Sequence, residues 1–420
     1  YQSSFIHFEQ NKSTLKTQFK MPFENGDSVQ GWLNLPEFRR INVNPQQQNI
    51  SGNIQAHINN LNLISLFVPV LSNIQGKAQV LFFIAGKLAS PKLRGQVNIN
   101  QAGLDIIDLG IHIHDININA QTDKNHVLQW QAQGKSGDGS VTITGNTDLN
   151  PKHHWQTALN IKANTFEIFK KPELWLLANS DFNITYDDNL VTYDGEIIIP
   201  RGKIDLQDST SKITSSDDVV ILSSGQTHTD KKLKTSANVR LVIHDQLFFE
   251  GFGLTSYLTG DIVINKTPEK ITTGSGELNI IGDYKAFSTE LKIKRGKLIF
   301  AGGAITNPAL DIKASRTFKD QSIVTGIHAT GRLKSPELIL YSEPAMPEKD
   351  ILYYLVLGRA SSDASPEKAD TFKEADALVT AAAALSTSQG YLMAKNLAHQ
   401  LGIEETRFNR RGLVLGRSLS

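Results

Sequence analysis

Two histidines that share a strand face are the first residues of this chain whose types and spacing could do chemistry. His112 and His114 lie two residues apart in an alternating segment, so both side chains point to the same side and could supply two ligands to a metal ion. They occupy the polar positions next to Ile111 and Ile113. We therefore interpret them as the solvated face of a strand, and we predict no metal site there.

Other paired residues give no stronger signal. His153 and His154 point to opposite sides of an extended chain and cannot easily share an ion. The pairs Asp187–Asp188 and Asp217–Asp218 resemble loop carboxylates, and neither has a third or fourth calcium ligand close in sequence. The chain also has no phosphate loop, GxSxG elbow, HExxH or GxGxxG motif. We predict neither an enzyme nor a cofactor.

Composition narrows the class of protein. The 420 residues carry a formal net charge of +1 with scattered Lys and Arg, so nucleic acid is not an expected partner. Cysteine is absent, which excludes disulfides and thiolate metal sites and is compatible with an oxidising compartment. The first residues lack the features of a signal peptide, so we expect a fragment. No run approaches the about 20 apolar residues of a membrane-spanning helix.

Strict apolar–polar alternation marks many strands. Because side chains change face at every residue, the pattern predicts a β-sheet with one continuous apolar face and one polar face. The predicted apolar face includes Val97, Ile99, Ile111, Ile113, Val141, Ile143, Leu241, Ile243, Ile262, Ile264, Leu278, Ile280, Leu291, Ile293, Leu298 and Phe300.

The apolar face needs a cover, and residues 42–340 show no convincing helical period that would supply one. The sheet is therefore expected to cover itself, as a sandwich, a β-helix or a folded-over sheet with an open seam. Strands of about six residues would enclose a strip about 20 Å wide. Alternation alone does not choose among these three architectures.

Glycine-centred repeats run along the chain. The segments 86–95 and 331–340 share glycine, a basic residue, leucine and then Ser-Pro, and related units surround Gly195, Gly260 and Gly276. Each unit is predicted to turn at a glycine corner and to continue into a short strand, and the glycine-rich points 137–139 and 274–276 are predicted as turns. The repetition indicates stacked units.

Composition changes after Tyr341. Pro347 suits a first helical turn, acidic residues follow it, and Gly358 can end a helix, so we predict a helix over 348–357. A second helix is predicted in the Ala-rich segment 368–401. We expect the apolar side chains of the first helix to lie at the end of the apolar groove; they are Ile351, Leu352, Tyr354 and Leu355.

Taken in order, these segments resemble the C-terminal region of the TamB family, within the AsmA-like and bridge-like lipid transfer group. The resemblance covers nearly the whole chain from about Ile50, and single repeat units carry less of it than their order does. Its most specific part is 336–359, which contains Ser-Glu-Pro-Ala-Met346 and then Asp350-Ile-Leu-Tyr-Tyr-Leu-Val-Leu-Gly358. In that family a segment like 412–420 begins a last group of aromatic-rich strands, and we expect those strands to be missing here.

The resemblance implies a mainly-β fold, an elongated β-taco with an apolar interior groove in residues 1–345, followed by a helical segment and the start of a strand region in 346–420. It implies a periplasmic location in a Gram-negative bacterium, within a protein held in the inner membrane by an N-terminal anchor absent from this fragment. The implied partners are phospholipid acyl chains and an outer-membrane barrel of the Omp85 (TamA-like) type.

The expected function is passive conduction of phospholipids between the two membranes, in support of outer-membrane biogenesis. Assembly of outer-membrane β-barrels and autotransporters through β-augmentation is the alternative. A closed β-helix with a purely structural role is the third interpretation.

Overall fold

The computed structural model describes residues 3–11, 13–23, 26–36, 38, 47–66, 68–150, 154–206, 233–286, 289–318 and 322–360, and the backbone of 405–409 and 412–416. Several sequence predictions fall outside these residues: His153, the pair Asp217–Asp218 and the helix in the Ala-rich segment 368–401.

Strands dominate the described chain. They are β1 (Phe5–Asn11), β2 (Thr14–Pro22), β3 (Ser28–Leu35), β4 (Asn49–Ile58), β5 (Leu71–Lys87), β6 (Ser90–Ile106), β7 (Ile111–Thr122), β8 (Val127–Ser136), β9 (Gly139–Asp148), β10 (Thr157–Lys171) and β11 (Leu174–Asp187). They continue as β12 (Leu190–Leu206), β13 (Lys234–Gly251), β14 (Leu254–Lys266), β15 (Thr273–Ala286), β16 (Thr289–Ala304), β17 (Ala309–Phe318), β18 (Ile323–Arg332), β19 (Ser335–Glu343), β20 (Glu405–Asn409) and β21 (Gly412–Gly416). A 3-10 helix covers Leu61–Leu66, and α1 covers Glu348–Leu357.

The first nineteen strands belong to one sheet, and β20 pairs with β21 separately. Strands that follow each other in sequence pair antiparallel from β1 to β11 and again from β15 to β19. The mainly-β fold class is thereby confirmed. Antiparallel neighbours need only short turns, which explains how a sequence built of alternating segments and turn residues folds without crossover helices.

The chain forms two compact units. Unit 1 comprises Tyr1–Gly202, Ile213–Val242 and Ile264–Ile271, and unit 2 comprises Lys203–Lys212, Ile243–Val263 and Thr272–Ser420. The predicted boundary between residues 345 and 346 stays a prediction.

The Ser-Pro repeat is the same hairpin in both units. In unit 1, Gly86 pairs with Pro91 and Lys87 with Ser90 around a two-residue turn. In unit 2, Gly331 pairs with Pro336 and Arg332 with Ser335 in the same way. Both glycines have positive φ, +98° and +81°, a backbone region that residues with a side chain rarely adopt. The internal repeat inferred from sequence is therefore a repeated hairpin.

Three of the predicted glycine corners are wrong. Gly195, Gly260 and Gly276 lie inside β12, β14 and β15, with φ between +132° and +141°. A Cβ added to Gly260 would lie 2.2 Å from the carbonyl oxygen of Glu277 on the neighbouring strand. These glycines permit close approach of two backbones within the sheet, which is the other common use of glycine in strands. The point 274–276 is likewise strand, whereas 137–138 is a turn as predicted.

The strands are also longer than expected. Because mid-strand glycines do not end a strand, two predicted short strands become one, and β5, β6 and β12 reach 17 residues each. At about 3.4 Å per residue, such a strand extends over about 55 Å rather than 20 Å.

Helix α1 has the predicted ends. Glu348 and Asp350 lie in its first turn, where carboxylates interact favourably with the helix dipole. Pro347 is its N-cap, and Gly358 ends it in the left-handed conformation, donating its N–H to the carbonyl oxygen of Tyr354 at 3.0 Å. The prediction of a helix over 348–357 is confirmed.

Helix α1 is a core element of unit 2. Ile351 and Leu355 pack in one buried cluster with Ile280, Leu291 and Ile293 of β15 and β16. The run from Ile351 to Leu355 is buried throughout, and the ring of Tyr354 lies 5.1 Å from that of Phe318. This burial explains why so apolar a helix is compatible with water around the protein.

Truncating the centre of α1 should test its contribution to the core. Leu355 is 1% exposed, so we expect Leu355→Ala to lower the free energy of unfolding of unit 2 by about 2–5 kcal/mol, through lost burial and a new cavity. Val356 is only partly buried, and Val356→Ala serves as the matched control with a smaller loss. Denaturant unfolding followed by tyrosine fluorescence measures both, and equal effects would contradict the packing of Leu355.

Candidate functional site

Cross-strand register aligns apolar side chains into two adjacent rows in unit 1, which we call the unit 1 strip. The first row runs from β4 to β11 through Ile58, Ala78, Ile99, Ile118, Ala132, Ile143, Ile161 and Phe182. The second row runs through Ala56, Val80, Val97, Ala120, Trp130, Gly145, Leu159 and Ile184. The strip is one uninterrupted apolar surface across these strands.

Two β-bulges keep the strip apolar. The register of β6 with β7 shifts between Ile99 and Leu104, and Gln101 and Asp115 adopt positive φ of 52° and 54°. A bulge inserts one extra residue and so reverses the phase of alternation. As a result Ile116 follows Ile113 on the apolar face, although three positions separate them.

Trp130 is the largest side chain of the unit 1 strip. An added Cβ at Gly145 would lie 2.6 Å from its indole ring, so the ring lies against the glycine backbone of β9. Its Nε1 donates to the hydroxyl of Thr147 at 3.4 Å, which satisfies the one polar group of the indole. Trp130 is thus fixed on the apolar face.

The predicted groove residues differ in burial. In unit 1, Val97, Ile99, Ile113, Val141, Ile143, Leu241 and Ile264 are half-buried, and Ile111 is buried. In unit 2, Ile243, Ile262, Leu278, Ile280, Leu291, Ile293 and Phe300 are buried and Leu298 is half-buried. The helix residues Ile351, Leu352, Tyr354 and Leu355 are buried as well. Partly exposed apolar surface is therefore found mainly in unit 1, whereas α1 covers part of the predicted face in unit 2.

Some residues of the strip were missed from sequence. Ile118 and Ile161 lie directly across from the predicted positions Ile99 and Ile143, and Phe182 lies across from Ile161. The segments 116–118, 159–161 and 182–184 each have asparagine between two apolar residues, so the alternation signal was present but short. Tyr353, buried next to the predicted helix residues, was also missed.

The histidines pair with carboxylates. His112 Nδ1 lies 2.5 Å from Asp105 Oδ1, and His114 Nδ1 lies 3.4 Å from Asp115 Oδ2. The two imidazole rings stack with centroids 5.9 Å apart, so they share a face as predicted. In the described part of the chain, no group of three or more His, Cys, Asp or Glu side chains could hold a metal ion.

The remaining candidate pair is dispersed. Asp187 accepts a hydrogen bond from Gln156 Nε2 at 2.8 Å, and Asp188 lies 3.6 Å from His154 Nδ1. Each carboxylate therefore has its own partner.

A cavity of about 820 Å³ lies on the polar face of unit 1. It is lined by residues of β6 to β11, mostly Asn, Gln and Thr, together with Ala120, Trp130, Gly145 and Leu159 from the second row of the strip, whose side chains leave on the other face. The apolar strip and this cavity are thus on opposite faces of the same strands.

No helix within the described ranges is both long and apolar enough to cross a membrane.

Comparison of the sequence with known proteins gives independent evidence of the family. A sequence model of the TamB C-terminal domain matches residues 130–413, which is more than half of the chain. The chain belongs to the TamB C-terminal domain family. The matched region begins at Trp130 in the unit 1 strip and includes all of α1.

A curated TamB relative extends the match. The translocation and assembly module subunit TamB of Haemophilus influenzae is 24% identical over an alignment that covers 96% of this chain and 31% of the relative. The chain spans about a third of the length of this TamB protein. The family resemblance inferred from repeat order is confirmed.

The pairing of Asp105 predicts a pH dependence. Hydrogen bonds from Asn73 Nδ2, at 2.5 Å, and from His112 hold the pKa of the Asp105 carboxyl below its usual 3.8. Because the folded pKa is the lower one, the contribution to stability is present above about pH 3.8 and is lost as pH falls through the folded pKa.

Asn73→Gly should raise the pKa of Asp105, since it removes the larger of these hydrogen bonds while tolerating the positive φ of 51° at position 73. Carboxyl carbon chemical shifts followed by NMR from pH 2 to pH 6 measure the change. Asp181, whose pKa is lowered by Asn160 and Lys162, is the internal reference and should not move. An unchanged Asp105 titration would show that Asn73 has no such effect.

Proposed function

We propose that the unit 1 strip binds phospholipid acyl chains, and that the protein conducts phospholipids passively across the periplasm between the inner and outer membranes. The observation that carries the proposal is the alignment of half-buried apolar side chains across β4 to β11, on a sheet whose other face is polar. Membership of the TamB C-terminal domain family supports it.

Burying acyl chains against the strip offsets the free-energy cost of moving a phospholipid through water. A phospholipid with two chains of about 15 methylenes exposes on the order of 24 kcal/mol of hydrophobic penalty in water, at about 0.8 kcal/mol per methylene. A continuous apolar strip lowers that barrier at each step along the sheet, while the headgroup remains in water. Since apolar contacts are non-directional, we expect binding of many lipid classes with no single decisive residue.

The implied partners belong to this proposal. In this proposal lipid is delivered at both ends, through an inner-membrane anchor and through an Omp85-type barrel in the outer membrane. The Haemophilus relative is a translocation and assembly module subunit, which supports a role in translocation or assembly.

A second candidate function is assembly of outer-membrane β-barrels or autotransporters by β-augmentation. It is favoured by β1, whose residues are all exposed, including Phe5, Ile6 and Phe8 at 47%, 53% and 66%. An exposed strand with aromatic side chains is suited to pairing with an extended client segment. Crosslinking of client strands to β1, without lipid on the strip, would favour assembly over conduction.

Photocrosslinking should map the lipid surface. A photoreactive amino acid at Ile99 or Ile143 should capture phospholipid, whereas the same group at Asn98 or Thr144, on the opposite face, should not. Leu291 is 0% exposed beneath α1 and should capture little. The chain is crosslinked after expression in a Gram-negative host, and attached lipid is measured by mass spectrometry. Equal labelling of both faces would contradict the assignment of lipid binding to the unit 1 strip.

A charged side chain on the unit 1 strip should prevent lipid binding without unfolding the protein. Ile143 is half-buried, so water can solvate Asp in Ile143→Asp, and we expect lipid capture to fall at least tenfold with strand signal in circular dichroism retained. Ile293 is 8% exposed in the α1 cluster, and Ile293→Asp should destabilise unit 2 by several kcal/mol.

The matched control is Thr144→Asp, which places the same charge one residue away on the polar face. Wholesale unfolding by Ile143→Asp would instead indicate a sealed core in unit 1.

A further inference from the structure

The polar face of unit 1 carries two rows of uncharged side chains, directly opposite the apolar strip. One row consists of Gln96, Gln121, Gln129, Asn146, Ala158 and Thr185, aligned by register across β6 to β11. The other consists of Asn98, Asn119, Gln131, Thr144, Asn160 and Asn183 on the same strands. Neighbouring strands lie about 4.8 Å apart, so the rows span about 24 Å.

The cavity of about 820 Å³ lies between these rows, and we call it the carboxamide groove. Ala120, Trp130, Gly145 and Leu159 also line it. They belong to the second row of the apolar strip, so their side chains leave on the opposite face and their backbone forms the floor. The groove therefore has polar walls and a backbone floor.

The groove lacks charge. None of its lining residues is Asp, Glu, Lys, Arg or His, although 20% of the chain is charged. A cavity of about 540 Å³ in unit 2 differs sharply, because Asp283, Glu290, Lys292, Lys294 and Arg316 line it. An anionic ligand such as a phosphate would find no cation in the carboxamide groove.

Hydrogen-bonding capacity in the groove is largely unused. Asn160 donates to Asn183 Oδ1 at 3.0 Å and to Asp181 Oδ1 at 2.9 Å. Among the described residues, the side chains of Gln96, Asn98, Asn119, Gln121, Gln129 and Gln131 make no hydrogen bond to another protein group. Each carboxamide has two N–H donors and a carbonyl acceptor, so each of these side chains can both donate and accept hydrogen bonds.

Exposed aromatic rings extend the same face. Trp32 and Phe83 both pair with Asn53, and they are 41% and 48% exposed. Phe83 lies two residues along β5 from Leu81, which pairs with Gln96 at the first strand of the groove. The rings thus point to the side of the carboxamides, and they offer flat apolar surfaces beside a polar groove.

We propose that the carboxamide groove binds a neutral oligosaccharide. Sugar hydroxyl and N-acetyl groups donate and accept hydrogen bonds, carry no charge, and match the unused capacity of the groove. The C–H faces of sugar rings suit the rings of Trp32 and Phe83. An extended peptide would pair with a strand edge rather than a sheet face, and an acyl chain would meet polar walls.

Isothermal titration of the purified chain with two probes tests the proposal. The probes are an N-acetylglucosamine hexamer and maltoheptaose. We expect binding of at least one, and we expect the double variant Gln129→Ala/Gln131→Ala to weaken it about tenfold or more, since two hydrogen bonds are lost. Gln133→Ala is the matched control: Gln133 lies on the same strand and face, outside the groove lining, and its removal should leave the Kd unchanged.

Several outcomes would overturn the proposal. They are absence of heat with both sugars at millimolar concentration, equal weakening by Gln133→Ala, and displacement of bound sugar by an unfolded peptide or by anionic phospholipid vesicles. Retained strand signal in circular dichroism excludes unfolding as the cause of a lost signal. Because the lipid strip lies on the other face, sugar binding should survive Ile143→Asp, which separates this proposal from that of lipid conduction.

Discussion

Backbone hydrogen-bond register is the constraint on which the rest of this protein depends. Every side chain is assigned to one face by its position along a strand, and antiparallel pairing carries that assignment to the next strand. A slip of one residue in any pair would place isoleucines among the carboxamides. The bulges at Gln101 and Asp115 show that the phase can be reset locally, because they return Ile116 to the apolar side after Ile113. Both the apolar strip and the polar groove are products of one register.

Unit 2 differs from unit 1 in how its apolar face is covered. Helix α1 inserts Ile351 and Leu355 against β15 and β16, so the predicted groove residues there contact protein. In unit 1 the 3-10 helix contributes Leu61 to a smaller cluster with Ile74, Ala78 and Ala102. Apart from the buried Ala120, the remaining apolar side chains of the unit 1 strip stay half-buried, and this is the surface to which we propose that acyl chains bind.

Sequence reasoning predicted the elements whose signals are local. Alternation identified the apolar face, and Pro347 and Gly358 defined α1 because helix ends depend on a few adjacent residues. Gly195, Gly260 and Gly276 were misassigned as corners, since the reason for each glycine is a carbonyl on a neighbouring strand that sequence does not place. The carboxamide groove was not predicted for the same reason: its walls assemble from strands paired by register, and single strands show only ordinary polar positions.

The glycines inside β14 and β15 bear on how such a sheet can grow. A Cβ at Gly260 would meet the carbonyl oxygen of Glu277, and a Cβ at Gly276 would meet that of Asp261, at 2.2 and 2.3 Å. Each glycine thus makes room for the residue beside the other glycine. A gene duplication that copied one strand alone would separate a glycine from its counterpart and set a side chain against a backbone. Copying the whole hairpin preserves both contacts, so the hairpin is the smallest unit by which this sheet can lengthen during evolution.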